Sequence, residues 1–301
     1  MKKLEDFLIK NQIIYRTDLT LADLSTFKIG GKADMVVYPS TEEQCTALIR
    51  FAKKQGEKLI FLGNGSNVLC SDDGCRNWIL KTEGLNRLQL DKNHVLTVGA
   101  GVRLVKASSF TAKEGLTGME FAYGIPGSMG GAIFMNAGAY GGSMDQIVIE
   151  TRYLDSNGDP HILKGERHQF GYRHSFFTEH PDYLIIETRL QLQPGDKKEI
   201  LATIEDLQNR RKEKQPLEYP SAGSTFKRPE GYFAGKLIQD AGLRGHSIGG
   251  AQVSEKHCGF IINAGGASCK DIKELIRYVQ QEVKKQFDVQ LECEVRELGA
   301  E

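Results

Sequence analysis

Three short polar clusters contain the side chains of this sequence that are best suited to catalysis. Residues 171–175 read Gly-Tyr-Arg-His-Ser, residues 221–227 read Ser-Ala-Gly-Ser-Thr-Phe-Lys, and residues 292–296 read Glu-Cys-Glu-Val-Arg. An arginine among aromatic residues can bind a carboxylate, and a hydroxyl near a carboxylate or a lysine can deliver a proton. The alternatives are a surface turn, a capping turn and a solvated strand, because structural turns and ion pairs imitate sites.

The charged residues of the third cluster are spaced two apart. Glu292, Glu294 and Arg296 alternate with Cys293 and Val295, which predicts that the three charges share one face of a strand. Two carboxylates on that face are two candidates for one acidic role, and the spacing does not separate them.

Two glycine-rich stretches could hold the phosphate groups of a ligand. Residues 63–67 read Gly-Asn-Gly-Ser-Asn after an apolar run, and seven glycines occur in the nineteen residues 124–142. Such loops turn backbone N–H groups toward one point and let a flat ligand lie against bare main chain. Simple turns are the alternative, since neither stretch matches a P-loop or a dinucleotide fingerprint. Together the two stretches indicate one large, flat, phosphate-bearing ligand, and a dinucleotide fits this description.

Composition narrows the classes of protein to consider. The chain has 301 residues, enough for about two domains, and its 39 basic residues balance 39 acidic ones. Because the net charge is zero, the protein has no net electrostatic attraction to nucleic acid or an anionic membrane. No apolar run is long enough to span a bilayer. The six cysteines show no metal-ligand spacing, and we expect no signal peptide because Glu5 and Asp6 follow Lys2 and Lys3 at once. We expect a reduced cytoplasmic protein with no metal site, no nucleic acid and no membrane partner.

Hydrophobic periodicity and capping signals predict both helices and strands. Helices are expected around residues 4–8 and over 104–114, 199–215 and 271–287. A further helix is expected to begin at a capping box of Ser40 and Glu43 and to end near residue 55. Ser268 with Asp271 would cap the helix over 271–287. Strands are expected over 34–38, 58–62, 147–154, 183–192, 289–292 and 294–298, with several short ones between 78 and 98. The composition changes near Gly195. This pattern predicts an α+β chain with a ligand-binding part to residue 195 and a smaller C-terminal α/β domain.

The order and spacing of these segments resemble those of the UDP-N-acetylenolpyruvoylglucosamine reductases, flavoenzymes of bacterial peptidoglycan synthesis. The resemblance runs nearly end to end and also includes residues 25–31, 249–254 and 291–296. The family has two types, and this chain resembles the shorter one, which lacks a tyrosine-bearing loop over the substrate.

The resemblance implies a two-lobed FAD-binding fold of the vanillyl-alcohol-oxidase type followed by the C-terminal substrate-binding domain. We place the first lobe at residues 1–80, the second at 81–195 and the substrate-binding domain at 196–301. It further implies noncovalent FAD, NADPH as the electron donor and a UDP-sugar substrate. The expected enzyme is a cytoplasmic monomer that serves cell-wall biogenesis, and with it cell shape and cell division.

The resemblance also implies roles for individual residues. Ser224 would donate the proton to C2 of the enolpyruvyl group, while Arg173 and Glu294 would bind the carboxylate and polarise or protonate the developing enolate. The family position favours Glu294 over Glu292. The expected FAD-binding residues are Gly63, Asn64, Gly65, Ser66 and Asn67 for the pyrophosphate, and Gly124, Ile125, Pro126, Gly127, Ser128, Gly130 and Arg296 for the flavin. The expected substrate-binding residues are Tyr172, Arg211, Lys214 and Lys227.

Some positions depart from the family pattern or admit another interpretation. Cys293 stands where the family has proline, and Arg228 stands where the loop after the serine often has asparagine. Arg211 and Lys214 could instead be a solvated helix end, which basic residues favour in any case.

Two other functions compete with the reductase. A related flavin oxidase or dehydrogenase acting on an alcohol or sugar often tethers FAD through histidine or cysteine. Neither glycine stretch contains one, so Cys70 and Cys75, just beyond the first, are the residues to check. A nucleotide-binding regulatory module without turnover would not need Ser224, Arg173 and Glu294 together.

Overall fold

In a computed structural model, which describes residues 2–299, the chain is an α+β protein. The helices are α1 Lys2–Lys10, α2 Glu42–Gln55, α3 Leu104–Lys113, α4 Met129–Phe134, α5 Phe176–Glu179, α6 Lys197–Lys214, α7 Ala234–Asp240 and α8 Cys269–Phe287. The strands are β1 Ile14–Arg16, β2 Ala33–Tyr38, β3 Leu59–Leu62, β4 Val68–Cys70, β5 Cys75–Lys81, β6 Leu88–Leu90, β7 Val95–Gly99, β8 Leu116–Thr117, β9 Gly138–Ala139, β10 Gly142–Ser143, β11 Val148–Leu154, β12 Pro160–Lys164, β13 Leu184–Gln191, β14 Gln193–Pro194, β15 Ser247–Ile248, β16 Ala251–Val253, β17 Ile261–Asn263 and β18 Arg296–Leu298.

The described residues group into two compact units, each made of three stretches of chain. The first unit takes in residues 2–17, 35–64 and 77–210, and the second takes in 18–34, 65–76 and 211–299. The boundary between Asn64 and Gly65 falls inside the first glycine loop. The division into domains at 1–80, 81–195 and 196–301 stays a prediction.

Two larger sheets organise the first unit. One has the order β1-β2-β5-β3, with β3 parallel to β5, and the other is the antiparallel sheet β12-β11-β13-β7-β6. The pairing of β11 with β13 confirms the antiparallel strands predicted over 147–154 and 183–192. The core of this unit contains residues from β7, β13 and α4, such as Leu96, Leu190 and Ile133, all fully buried.

The second unit packs a long helix with short strands. Its sheets are the antiparallel β15-β16-β17 and the parallel pair β18-β4. Helix α8 buries apolar side chains spaced three and four residues apart, so one helical stripe supplies much of this core. These residues are Ile272, Leu275, Ile276, Val279 and Val283.

Local signals fix the ends of the helices, with one correction. Helix α8 begins at the predicted capping box of Ser268 and Asp271. Helix α2 instead has Thr41 as its N-cap, whose hydroxyl accepts from the Gln44 N–H at 3.2 Å. The predicted box of Ser40 with Glu43 is therefore wrong by one residue.

The C-terminal segment contains a second correction. The predicted strands over 289–292 and 294–298 are replaced by β18 alone, Arg296–Leu298, and by an isolated bridge between Cys293 and Phe226. The predicted strand over 292–296 is thus wrong in its extent, because only Arg296 of the three charged residues lies in a regular strand.

Candidate active site

The first glycine loop leaves the end of β3 and has no space for side chains at its glycines. A Cβ on Gly63 would lie 2.2 Å from the Ser128 hydroxyl oxygen, and one on Gly65 would lie 2.0 Å from the Leu24 carbonyl oxygen. Gly65 also has φ +64°, a conformation that favours glycine. The glycines are therefore required by close approach of other chain segments.

The second glycine stretch leads into helix α4. Ser128 is its N-cap, with its hydroxyl accepting from the Gly131 N–H at 3.4 Å. The N–H of Gly130 donates to the Ala100 carbonyl at 2.8 Å, and a Cβ at this glycine would lie 2.9 Å from the Ala100 Cβ. This stretch is thus held tightly against the end of β7.

The two glycine stretches meet within the first unit. Besides the contact of Gly63 with Ser128, the Asn64 side-chain amide donates to the Pro126 carbonyl. The Lys81 ammonium donates to the Gly63 carbonyl, and the neighbouring Thr82 hydroxyl is buried. The structure therefore brings together Gly63, Asn64, Pro126 and Ser128 from the predicted cofactor set.

Thr82 provides a test of whether this region fits a bound cofactor. In residues 2–299, two buried side-chain oxygens lack a hydrogen-bond partner, those of Thr82 and Ser25. A buried hydroxyl without a partner costs about 1–3 kcal/mol, so such atoms cluster where a ligand or water belongs. The Thr82 oxygen lies 3.9 Å from the Cβ position of Gly63, while the Ser25 Cα lies 3.0 Å from that of Gly65. Within the first unit, the Thr82 hydroxyl beside Gly63 is therefore a polar group that suits a phosphate-bearing cofactor.

Arg173 lies at the tip of a tight turn in the first unit. The backbones of Gly171 and His174 exchange hydrogen bonds of 3.1 and 3.2 Å around it, and Arg173 takes φ +55°. Its guanidinium donates to the Gly138 carbonyl at 3.2 Å and lies 5.1 Å from the ring centre of Tyr172. Positive φ is uncommon for a non-glycine residue, so the turn fixes Arg173 in a conformation that a free chain rarely adopts.

Asn136 supports this turn and was not among the predicted site residues. Its side-chain amide donates to the Gly171 carbonyl, and its oxygen accepts from the Asp145 N–H, both at 3.0 Å. The sequence showed only that this asparagine is a polar residue in an apolar stretch. The glycine stretch and the arginine turn are thereby connected by one side chain.

In the second unit the serine loop pairs with the acidic segment. The Glu294 N–H donates to the Thr225 carbonyl, and the Lys227 N–H donates to the Glu292 carbonyl, both at 2.8 Å. The Lys227 ammonium also forms an ion pair with the Glu292 carboxylate. Ser224 is exposed and precedes the buried Thr225. Two of the predicted clusters are therefore adjacent here.

The buried Thr225 and the half-buried His257 hold the other side of the serine loop. The Thr225 N–H donates to the Gly259 carbonyl at 2.8 Å, and its hydroxyl accepts from the Ile261 N–H at 3.0 Å. The Gly259 N–H in turn donates to His257 Nδ1 at 3.1 Å. Burial lowers the pKa of His257, so the neutral ring that this acceptor role requires is favoured.

Asn67, Arg296 and Cys293 lie around Glu294 in the same unit. The Asn67 side-chain amide donates to the Glu294 carbonyl at 3.1 Å, and the Arg296 N–H donates to the Asn67 carbonyl at 3.1 Å. Burial raises the pKa of the Cys293 thiol. The contact of Asn67 with Glu294 joins residues 227 positions apart, and no local signal in the sequence could have found it.

The remaining predicted residues occupy less connected positions. Arg211 donates to the Gln215 side chain at 2.8 Å, and Lys214 is exposed near the end of α6. Arg228 lies over the ring of Phe233, 4.1 Å from its centre. Their part in substrate binding stays a prediction.

Several findings bear on other kinds of site. No group of three His, Cys, Asp or Glu side chains arranged to hold a metal ion occurs among residues 2–299. Over the same residues no helix is both long and apolar enough to cross a membrane. Cys70 and Cys75, the candidates for a covalent cofactor link, are both buried.

Comparison with known proteins identifies relatives along nearly the whole chain. The family model of an FAD binding domain matches residues 33–164, and that of the C-terminal domain of UDP-N-acetylenolpyruvoylglucosamine reductase matches 215–298. The enzyme of that name from Clostridium perfringens strain SM101 is 48% identical over 282 residues, covering 94% of this chain and 92% of the relative. Its namesake from Clostridium novyi strain NT is 45% identical over 300 residues, covering 100% and 96%.

A solved structure extends the likeness to three dimensions. The crystal structure of UDP-N-acetylenolpyruvylglucosamine reductase from Thermus caldophilus has a TM-score of 0.80 and 32% identity, covering 95% of this chain and 98% of that one. The predicted α+β fold, an FAD-binding domain followed by a C-terminal domain, is confirmed. The chain belongs to the family of UDP-N-acetylenolpyruvoylglucosamine reductases.

Proposed function

We propose that this chain binds FAD and uses NADPH to reduce the enolpyruvyl group of UDP-N-acetylenolpyruvoylglucosamine, giving UDP-N-acetylmuramate for peptidoglycan synthesis. The substrate is the one in the names of its relatives. Reduction of an enol ether conjugated to a carboxylate needs a hydride at one carbon and a proton at the next. The observation that carries the proposal is the 2.8 Å backbone hydrogen bond from Glu294 to Thr225, because it brings the main chain of the acidic residue beside the residue that follows the exposed Ser224.

The cofactor would be held where the glycine stretches meet. FAD, when bound, supplies the flavin that passes a hydride from NADPH to the substrate. Residues 63–67 would hold the pyrophosphate with backbone N–H groups, and residues 124–128 with Gly130 would face the flavin. Arg296 would also bind the flavin, as the family resemblance implies. The close packing at Gly63 and the buried hydroxyl of Thr82 support this assignment.

Arg173 would bind the substrate carboxylate. A guanidinium can donate two parallel hydrogen bonds to a carboxylate and stabilise the negative charge that develops in the enolate. The hydrogen bond to Gly138 and the positive φ orient the guanidinium before substrate arrives, so less conformational freedom is lost on binding. Tyr172, exposed beside it, together with Arg211, Lys214 and Lys227, would contact the UDP-sugar.

Ser224 would deliver the proton to C2. A serine hydroxyl is a weak acid, so it can serve only when the acceptor is strongly basic and a neighbour resupplies the proton. Lys227 or a water molecule could perform that relay. Glu294 would polarise or protonate the enolate. Glu292 is not assigned this role, because its carboxylate forms an ion pair with Lys227.

Stopped-flow spectroscopy of the two half-reactions tests this assignment. In Ser224→Ala, NADPH should bleach the flavin absorbance at nearly the wild-type rate, since that step needs no proton from the serine. The return of colour on adding the enolpyruvyl substrate should slow by the ~10²–10⁴-fold typical of a lost general acid. Equal slowing of both steps would mean that the loop is structural, and a wild-type return of colour would remove Ser224 from the mechanism.

Ser221→Ala is the matched control in the same loop. The contact of Ser221 with the Thr26 hydroxyl uses the Ser221 backbone carbonyl, at 2.7 Å, which the substitution leaves in place. Both half-reactions of this variant should remain close to wild type. Bleaching of the wild-type protein by an alcohol or sugar, with no response to the enolpyruvyl substrate, would instead indicate an oxidase.

We further propose a cytoplasmic location and a monomeric state. Light scattering coupled to size-exclusion chromatography should give a mass near the chain's 33.5 kDa. A mass of twice that value would contradict the monomer.

A further inference from the structure

The two asparagines of the first glycine loop make their side-chain contacts in different units. Asn64 donates to the Pro126 carbonyl in the second glycine stretch, whereas Asn67 donates to the Glu294 carbonyl at 3.1 Å. Both acceptors are carbonyl oxygens, which cannot donate, so each amide must present its nitrogen. We propose that Asn67 is a positioning residue for Glu294 rather than primarily a cofactor ligand; this inference rests on the proposed function.

The hydrogen bonds around Asn67 show how it would act. Strands β18 and β4 pair in parallel from Arg296 opposite Val68, and the Asn67 carbonyl accepts the Arg296 N–H at 3.1 Å. Glu294 lies just outside this regular ladder. The Asn67 side-chain amide donates the hydrogen bond that a neighbouring strand would otherwise give to the Glu294 carbonyl. This bond fixes the direction of the Glu294 carbonyl.

Glu294 is held through both of its backbone polar groups. Its carbonyl accepts from Asn67, and its N–H donates to the Thr225 carbonyl at 2.8 Å. Fixing both groups limits rotation of the backbone about the Cα, and therefore the direction in which the carboxylate leaves the chain. Because Thr225 follows Ser224, the same bonds set the acid relative to the proposed proton donor.

Thr26 makes a second connection from the glycine loop to the serine loop. Its N–H donates to the Gly65 carbonyl at 3.1 Å, and its hydroxyl donates to the Ser221 carbonyl at 2.7 Å. The part of the glycine loop in the second unit therefore contacts both catalytic segments, one through Asn67 and the other through Thr26. Residues 65–67 thus form a platform that positions the groups for proton delivery.

Asn67→Asp tests the proposal with little change of size. The substitution keeps the side chain's shape but replaces the donor by an oxygen that faces the Glu294 carbonyl. We expect the rate at which substrate restores the flavin colour to fall at least about tenfold, the order expected from losing a hydrogen bond to a group fixed in the protein. FAD affinity, measured by quenching of flavin fluorescence, and the rate of bleaching by NADPH should fall no further than in Asn64→Asp, since both variants add one negative charge to the loop proposed to hold the pyrophosphate.

Asn64→Asp is the matched control, since it makes the same chemical change three residues earlier. Its loss of the Pro126 contact should raise the FAD dissociation constant by about tenfold, because that contact joins the two glycine stretches. The proposal is supported if the return of flavin colour slows in FAD-saturated Asn67→Asp and stays close to wild type in FAD-saturated Asn64→Asp. An Asn67→Asp enzyme that loses FAD affinity tenfold, yet restores colour at the wild-type rate when saturated with FAD, would overturn it.

Hydrogen exchange of the protein without FAD provides a readout independent of activity. In Asn67→Asp, a peptide covering residues 292–296 should exchange faster, while α8 should remain as protected as in wild type. Unchanged exchange at 292–296 contradicts the proposal even if the enzyme is slow. If wild-type protein never responds to the enolpyruvyl substrate, the proposed function fails, whereas the exchange result still decides the contact.

Thr26→Val tests the platform formed by residues 65–67 if Asn67→Asp does not fold. Valine keeps the shape and the backbone N–H but removes the hydroxyl that donates to Ser221. Slower return of colour with bleaching by NADPH retained supports the platform. A wild-type rate in both half-reactions contradicts it.

Discussion

Gly63→Ala offers a direct test of the contact between the two glycine stretches. The added Cβ would lie 2.2 Å from the Ser128 hydroxyl oxygen and 3.3 Å from the Ser128 Cβ. No positive φ is involved at Gly63, so the obstacle is steric and is located at one side chain. We expect weaker FAD binding and a less stable protein.

The expected loss of stability includes the cost of moving the Ser128 hydroxyl away from the new Cβ. Its hydroxyl can rotate away from the new Cβ only by leaving the Gly131 N–H, which it caps at 3.4 Å. Loss of an N-cap costs about 0.5–2 kcal/mol. The remaining 3.3 Å contact adds part of the ~1–3 kcal/mol typical of an overpacked core. A total of about 1–3 kcal/mol is therefore expected, which would weaken FAD binding by about 2- to 13-fold if half of it acts on the assembled loops.

A double-mutant cycle isolates the contact. Ser128→Ala loses the cap by itself, but it also removes the oxygen that the new Cβ would strike. Gly63→Ala should therefore cost about 1 kcal/mol less in the Ser128→Ala background, measured by urea unfolding and by FAD titration. Gly65→Ala is the control, because its Cβ would meet the backbone oxygen of Leu24 at 2.0 Å, and no change at Ser128 relieves that. Strict additivity of Gly63→Ala and Ser128→Ala would refute the reasoning.

Four further outcomes are expected. Denaturing the FAD-loaded protein should release all flavin into the supernatant; yellow precipitate would mean a covalent link. Arg173→Lys should lower kcat/KM at least about tenfold, because lysine lacks the planar pair of donors, and a loss under about threefold contradicts its role. Cys293→Pro should leave Tm within about 5 °C, since the backbone bonds found beside it use Glu292 and Glu294. Burial lowers the pKa of His168 from 6.5. The unfolded chain therefore binds more protons and stability falls as pH drops below about 6.5; His168→Gln should flatten this slope in pH-dependent unfolding.

Features that depend on neighbouring residues were predicted well from the sequence. The capping box of Ser268 and Asp271, and the apolar stripe that follows it in α8, are local signals, and both are confirmed. The same rule misplaced the start of α2, because Ser40 and Thr41 are both good caps. The choice depends on which hydroxyl the Gln44 N–H reaches.

Features that depend on distant partners were not predictable in this way. The alternation of Glu292 and Glu294 suggested a strand, but only an isolated bridge to Phe226 forms there, since the partner segment follows it for a single pair. Likewise the positioning role inferred for Asn67 depends on its hydrogen bond to the Glu294 carbonyl, 227 positions away. The sequence identified the clusters, whereas the side chains that hold them, such as Asn136, became visible only in the fold.

The three-part composition of the second unit has a consequence for the order of folding. Its stretch 65–76 pairs with β18, near the end of the described chain, and Asn263 donates to the Phe27 carbonyl across 236 positions. During synthesis these early segments leave the ribosome long before the C-terminal segments that pair with them, so they remain unpaired until those segments are made. Contacts of such sequence separation also slow the search for the native state. A fragment starting at residue 196 would lack β4, and the glycine loop can take its final form only after the last strand has emerged.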